Sequence, residues 1–123
     1  MTEIKTYLEA LGFIEDQPLQ VAPGQVIFGA GQTGDQMFIV RSGSVELKVG
    51  ETLLETVGPG GVFGELALID PAPRSATAVA GPGCSLVPVN EIQFHALVQK
   101  VPNLALEVMK VMARRIRKTN PTH

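Results

Sequence analysis

The sequence predicts a mainly β domain, an antiparallel β-roll or jelly roll flanked by helices, and three observations carry that expectation. Short apolar runs separated by turn residues recur from Pro18 to Pro88. Most of the 13 glycines and nine prolines fall in the same interval, where they punctuate strands rather than form a linker. At Asn90 the apolar spacing changes from the alternation of strands to the three-and-four spacing of helices. A length of 123 residues suits one such domain, 1–123, with one core and no room for a second.

The elements follow in order. Ile4, Tyr7, Leu8 and Leu11 keep helical spacing up to Gly12, so a helix is expected within 1–15. The roll occupies 18–89. Val26 to Phe28 form a first short strand that stops at the glycines 29 and 31, and Met37 to Val40 form another that stops at Gly43. Val45, Leu47 and Val49 alternate with Glu46 and Lys48, the pattern of a half-buried strand. Gly50-Glu51 suits a tight hairpin turn with glycine first, and Thr52 to Val57 returns to a GPGG turn. Ala76 to Ala80 and Ser85 to Val89 are two further strands divided by GPG. Even spacing of many short strands is how antiparallel sheets close into rolls and barrels.

Helices follow over 90–120. Asn90 is a strong N-cap and Gln93 stands at the reciprocal position of a capping box. Pro102 interrupts the pattern, and a second helix is expected over 102–119. Along it Ala105, Met109, Met112 and Ile116 form a heptad-like seam, with Leu104, Val108 and Val111 in a row beside it. One row can pack on the sheet. The other wants a partner, for which a second copy of the chain is the simplest choice, unless both rows make one wide core-facing stripe.

Composition excludes several classes. Hydrophobic residues at 45% and charged residues at 18% exclude a disordered chain. A net charge of −2 offers no basic field for nucleic acid. The single cysteine, Cys84, cannot form an internal disulfide, the acidic N-terminal stretch lacks a signal-peptide layout, and no apolar run reaches membrane-spanning length. A cytoplasmic location is the expectation. His95 and His123 are too few and too far apart for a metal site, and Cys84 has no activating neighbour in sequence.

The chemistry concentrates in GELALIDPAPRSAT, Gly64 to Thr77. A short helix begins at Gly64 and is limited by Asp70-Pro71. Its unpaired N–H groups favour an anion, and glycine lets that anion approach closely. Nine residues after Glu65 the chain presents Arg74, whose planar guanidinium matches phosphate oxygens, with Ala72, Ala76 and Ala78 leaving space around it. Ionised Glu65 accepts hydrogen bonds, which suits a sugar hydroxyl. A phosphate and a ribose hydroxyl on one small molecule would use both charges. The plainer alternative is a surface pair between Glu65 and Arg74, contributing about 0–1 kcal/mol.

FGELALIDPAPRSATA, Phe63 to Ala78, resembles the phosphate-binding cassette of cyclic nucleotide-binding domains, the family of the catabolite activator protein and the kinase regulatory subunits. Pro23 to Leu47, with glycines at 24, 31, 34 and 43, resembles the family's first strands, and Phe94 to Asn120 resembles its two closing helices. The resemblance implies that Glu65 accepts from the ribose 2′-OH and that Arg74 pairs with the exocyclic oxygens of the cyclic phosphate. Backbone N–H groups near Gly64, Leu66 and Ala67 would complete the phosphate cradle, and Ser75 would add a hydroxyl to phosphate or purine. Val62, Phe63 and Leu66 would line or support the pocket, with Phe63 equally suited to the core. Thr119 and Asn120 stand where the transcription-factor branch places a polar pair on the base. The basic run Arg114, Arg115, Arg117 and Lys118 would complement the helix C-terminus or fold one arginine over the ligand.

These readings converge on a stand-alone sensor domain that binds a cyclic nucleoside monophosphate, cAMP in preference to cGMP. It would relay binding through its last helices without transforming the ligand, and it would need no cofactor. Its expected partners are the nucleotide, a second copy through 102–119 and an effector protein. Direct reading of DNA is not expected, since the chain stops before the place where the family's helix-turn-helix would begin. The competing classes are a scaffold of the same fold that has lost its ligand, and a cupin-like metal enzyme.

Overall fold

The structure, a computed structural model, describes residues 18–70 and 72–119, without the side chains of Lys118 and Thr119. The helix expected within 1–15 and the residue Asn120 lie outside the described residues. Among the described residues eight strands form two antiparallel sheets. They are β1 (Leu19–Gln20), β2 (Val26–Phe28), β3 (Gln36–Ser42), β4 (Val45–Val49), β5 (Thr52–Val57), β6 (Val62–Phe63), β7 (Thr77–Ala80) and β8 (Ser85–Asn90). One sheet runs β1-β8-β3-β6 and the other β2-β7-β4-β5. Helices α1 (Glu91–Lys100) and α2 (Asn103–Thr119) follow. The mainly β roll with closing helices that the sequence predicts is the fold observed.

β3 shows how the layers are built. Phe38 and Val40 face the space between the sheets, where they meet Val45, Leu47, Phe63, Ala78 and Leu86. Met37 and Ile39 face the other way, onto Val87, Val89, Leu97, Leu104, Val108 and Val111. A strand buried on both faces reads as a continuous apolar run, which is what Met37 to Val40 are. On β4 only Val45 and Leu47 are buried, so the sequence there alternates. Its hairpin partner returns with Leu47 opposite Glu55, and Gly50 at the turn has φ 59°.

The helices begin and pack as their sequence directs. Asn90 Oδ1 accepts from the Gln93 N–H at 2.8 Å, and Gln93 Oε1 accepts from the Asn90 N–H at 2.9 Å, the reciprocal capping box. Pro102 falls one residue before α2 rather than inside its first turn. Of the two apolar rows on α2, Leu104, Val108 and Val111 are the buried one. The neighbouring seam divides: Ala105 and Met112 are half-buried, whereas Met109 and Ile116 are about half exposed. Among the described residues no helix is long and apolar enough to cross a membrane.

Candidate functional site

β6 ends at Gly64, which turns the chain with φ 74° into a 3-10 helix over Glu65–Leu68. The short helix expected in the cassette is therefore present, in its tighter form. Ala67 N–H donates to Gly64 O at 3.3 Å, and Ile69 N–H to Leu66 O at 3.0 Å. The chain then passes Asp70 to Arg74, where two backbone bonds to the β2–β3 connection fix it: Arg74 N–H to Gln32 O at 2.7 Å, and Gly31 N–H to Arg74 O at 2.8 Å.

Between this turn, the β4–β5 hairpin and α2 lies a cavity of about 320 Å³, within the usual range of small-molecule sites, about 300–1,000 Å³. Gly64, Glu65, Leu66, Ala67, Arg74, Ser75 and Ala76 all line it. Val62 and Phe63 do not; both are core residues that support the wall from behind. Thr119 contributes its backbone to the last turn of α2, and Asn120 is outside the described residues. The wall also includes Phe28, Leu47, Leu54, Glu55, Asp70, Ala72, Pro73, Met112, Arg115 and Ile116, so apolar side chains from the β2-β7-β4-β5 sheet and from α2 face the polar turn.

Two guanidinium groups meet in this cavity. Arg74 donates from Nη1 to Gly64 O and from Nη2 to Gln36 O, both at 2.9 Å. Its Cζ lies 4.1 Å from the centre of the Phe28 ring. Its Nε is buried and has no hydrogen-bond partner among the described residues. Burial lowers the Arg74 pKa from its ordinary value, against the opposing charges of Glu65 and Asp35. Arg115, one heptad beyond Val108, donates from Nε and Nη2 to the two Glu55 oxygens at 3.0 and 3.2 Å. It also donates to Val62 O at 2.6 Å and to Glu65 Oε1. The surface pair between Glu65 and Arg74 does not form, because Glu65 is engaged by Arg115 and Arg74 by backbone carbonyls.

Glu65 is 5% exposed. Burial pushes its carboxyl above the ordinary value, while Arg115 and the backbone N–H groups of Glu65 and Leu66 pull it down. The cavity thus brings a buried acceptor, Glu65, and the Arg74 guanidinium to one wall. That combination can bind an anion carrying a hydroxyl. Among the described residues no cluster of His, Cys, Asp and Glu could hold a metal ion. Cys84 is buried, which raises its thiol pKa.

Glu55, Phe28 and Leu54 escaped the sequence reading, and of the basic run Arg115 is the arginine that lines the cavity. Arg115 lies four residues beyond Val111 and seven beyond Val108, on the core-facing stripe, while Arg114 and Arg117 are exposed. Glu55 precedes buried Val57 by two residues, and strand alternation puts both on one face. Phe28 and Leu54 gave no comparable signal.

Comparison with known proteins adds three findings and a family match. Residues 18–101 match the model of the cyclic nucleotide-binding domain. The chain is 32% identical over 111 residues to the CRP-like cAMP-activated global transcriptional regulator of Mycobacterium tuberculosis, covering 85% of this chain and 49% of the regulator. The chain therefore spans about half the length of that relative. It superposes on the crystal structure of the Thermus thermophilus catabolite activator protein with TM-score 0.76 and 31% identity, covering 93% of this chain and 56% of the other. A solved structure from a cyclic-GMP-dependent signalling pathway regulating bacterial phytopathogenesis matches with TM-score 0.71 and 34% identity, covering 88% of this chain and 91% of the other.

Proposed function

The chain belongs to the family of cyclic nucleotide-binding domains, and from that premise we propose that it binds a cyclic nucleoside monophosphate as a regulatory sensor and does not transform it. The observation that carries this reading is the convergence of Arg74 and buried Glu65 on one cavity beside the Gly64 turn. A cyclic phosphate offers its exocyclic oxygens to the Arg74 guanidinium. Glu65 accepts from the ribose 2′-OH, Ser75 adds a hydroxyl, and backbone N–H groups near Gly64, Leu66 and Ala67 complete the cradle, the Ala67 N–H exchanging its long bond to Gly64 O. The purine packs on the apolar wall, with Thr119 and Asn120 the polar pair offered to its base.

Relatives of both kinds support a purine choice between cAMP and cGMP, with cAMP favoured by the similarity to cAMP-activated regulators. Ligand and last helix are linked through Arg115, which joins α2 to Glu65. Binding that rearranges this contact shifts α2, and an effector protein or a second copy docked on the Met109 and Ile116 face reads the shift. In this reading the domain is soluble and cytoplasmic.

Hydrogen exchange on the full chain tests both halves. Saturating cAMP or cGMP is expected to protect the amides of 64–76 and to change exchange along α2. No protection of the cassette by either nucleotide would overturn binding, and protection there with an unchanged α2 would overturn the relay.

A further inference from the structure

Arg74 is anchored on more sides than its two carbonyl acceptors account for. The guanidinium sits over the Phe28 ring, with Cζ 4.1 Å from the ring centre. That ring is itself rooted: its centroid lies 6.1 Å from that of Phe38 and 5.9 Å from that of Phe63, which are 5.2 Å from each other. Phe38 and Phe63 are buried in the roll, whereas Phe28 is half-buried at its margin. The ring beneath the arginine is the outer member of an aromatic cluster fixed in the core.

The space around the pair is closed by two glycines. A Cβ at Gly34 would stand 2.4 Å from Arg74 Nη2 and 2.7 Å from its Cζ. At Gly64 it would stand 2.8 Å from Arg74 Nη1 and 3.3 Å from the Phe28 ring. Neither glycine could carry a side chain without moving the guanidinium or the ring. The two rigid sides leave the ring face as the surface against which the arginine settles.

An aromatic face carries negative potential and attracts a cation, the more so when water is partly excluded. Arg74 is partly buried, and its burial opposes the charged form. A leucine in place of Phe28 would fill similar space and leave the carbonyl acceptors untouched, yet offer the guanidinium no such face. We propose that Phe28 is a positioning residue for Arg74: its ring sets the plane of the guanidinium and offsets its desolvation, so that the arginine is oriented before ligand arrives. The proposal rests on the cyclic nucleotide reading for what the arginine then binds. A side chain already fixed needs less ordering on binding, which strengthens affinity.

Two readouts on the full chain test this, using Phe28→Leu and Phe28→Tyr. Without ligand, the Nε–H resonance of Arg74 in a proton–nitrogen NMR spectrum reports its position over the ring. Phe28→Leu is expected to remove the ring-current shift and speed solvent exchange, while Phe28→Tyr keeps both near wild type. Calorimetry with cAMP and cGMP reports binding: Phe28→Leu is expected to weaken affinity about tenfold, and Phe28→Tyr by no more than about twofold. Thermal melts confirm that each variant is folded at the working temperature, and Phe28→Met replaces Phe28→Leu should that one fail to fold.

A resonance unmoved by Phe28→Leu overturns the proposal whatever the affinity does. A moved resonance with unchanged affinity overturns the link to binding. A folded Phe28→Tyr that behaves as Phe28→Leu overturns the role of the aromatic face. Should the wild type bind neither nucleotide, the functional reading falls, and the Arg74 resonance alone decides the role of Phe28.

Discussion

The cassette from Gly64 to Ala76 and the distal half of α2 each bring an arginine to the same cavity, and they hold it by different means. Arg74 is tied to backbone carbonyls of Gly64 and Gln36 and backed by Phe28. None of these supports titrates, so its position is built into the roll. Arg115 is held by the carboxylates of Glu55 and Glu65 and by Val62 O, and it arrives on a helix that follows the roll. Its position depends on the charge of its partners. One region is suited to recognising a ligand without rearranging, the other to sensing that the ligand has changed the charges and hydrogen bonds around Glu65.

Substitutions can break this contrast. The largest effect is expected from Arg74→Ala, which on the proposed function would remove two charged hydrogen bonds to phosphate at roughly 1.5–3 kcal/mol each, so affinity should fall about a thousandfold. Calorimetry gives the loss, and a melting temperature close to wild type would show that the fold does not depend on this arginine.

Arg115→Ala is expected to act the other way, on stability first. It strands Glu65 without its counter-charge, a cost of about 3 kcal/mol, measured by denaturant unfolding. It also changes the pH dependence. Burial already holds the Glu65 carboxyl above 4.5. An acid whose folded value is raised binds its proton more tightly folded than unfolded. Its contribution to stability is therefore full below 4.5 and declines as pH rises through the raised value. Removing Arg115 takes away a lowering influence and extends that decline to higher pH. Carboxyl-carbon NMR titration of Glu65 in both chains checks the direction.

Gly34→Ala sharpens the Arg74 side of the comparison. The added Cβ would meet Nη2 at 2.4 Å, and Gly34 has no positive φ to complicate the result. The guanidinium must shift, and affinity should fall about thirtyfold, or roughly 2 kcal/mol, read by the same calorimetry. The smallest effect belongs to Ser75→Ala, about fivefold, for loss of one hydrogen bond from an uncharged side chain. Comparing the loss for cAMP with that for cGMP shows whether Ser75 meets the phosphate or the purine.

The same contrast governs what the sequence made legible. The residues proposed for recognition sit within one continuous stretch, so Glu65, Arg74, Ser75 and the intervening turn could be read together, and the structure brings all three side chains to one cavity. The sheet, the capping box at Asn90 and the two apolar rows on α2 were legible because period and caps are local, whereas which row is buried was not. Arg115 and Glu55 meet across 60 residues, and only a pairing of strand phase with helix phase would have joined them. Phe28 was harder still. Its role depends on a bulged register in which Val26 pairs with Val79 while Phe28 pairs with Ala78, and local pattern does not encode such a shift.

The most direct test of the account is a calorimetric titration of the full wild-type chain with cAMP, cGMP and adenosine. One-to-one binding by at least one cyclic nucleotide, with no binding of adenosine, which lacks the phosphate that Arg74 would hold, is the expected result. No heat from either cyclic nucleotide at millimolar concentration, or equal affinity for adenosine, would contradict it.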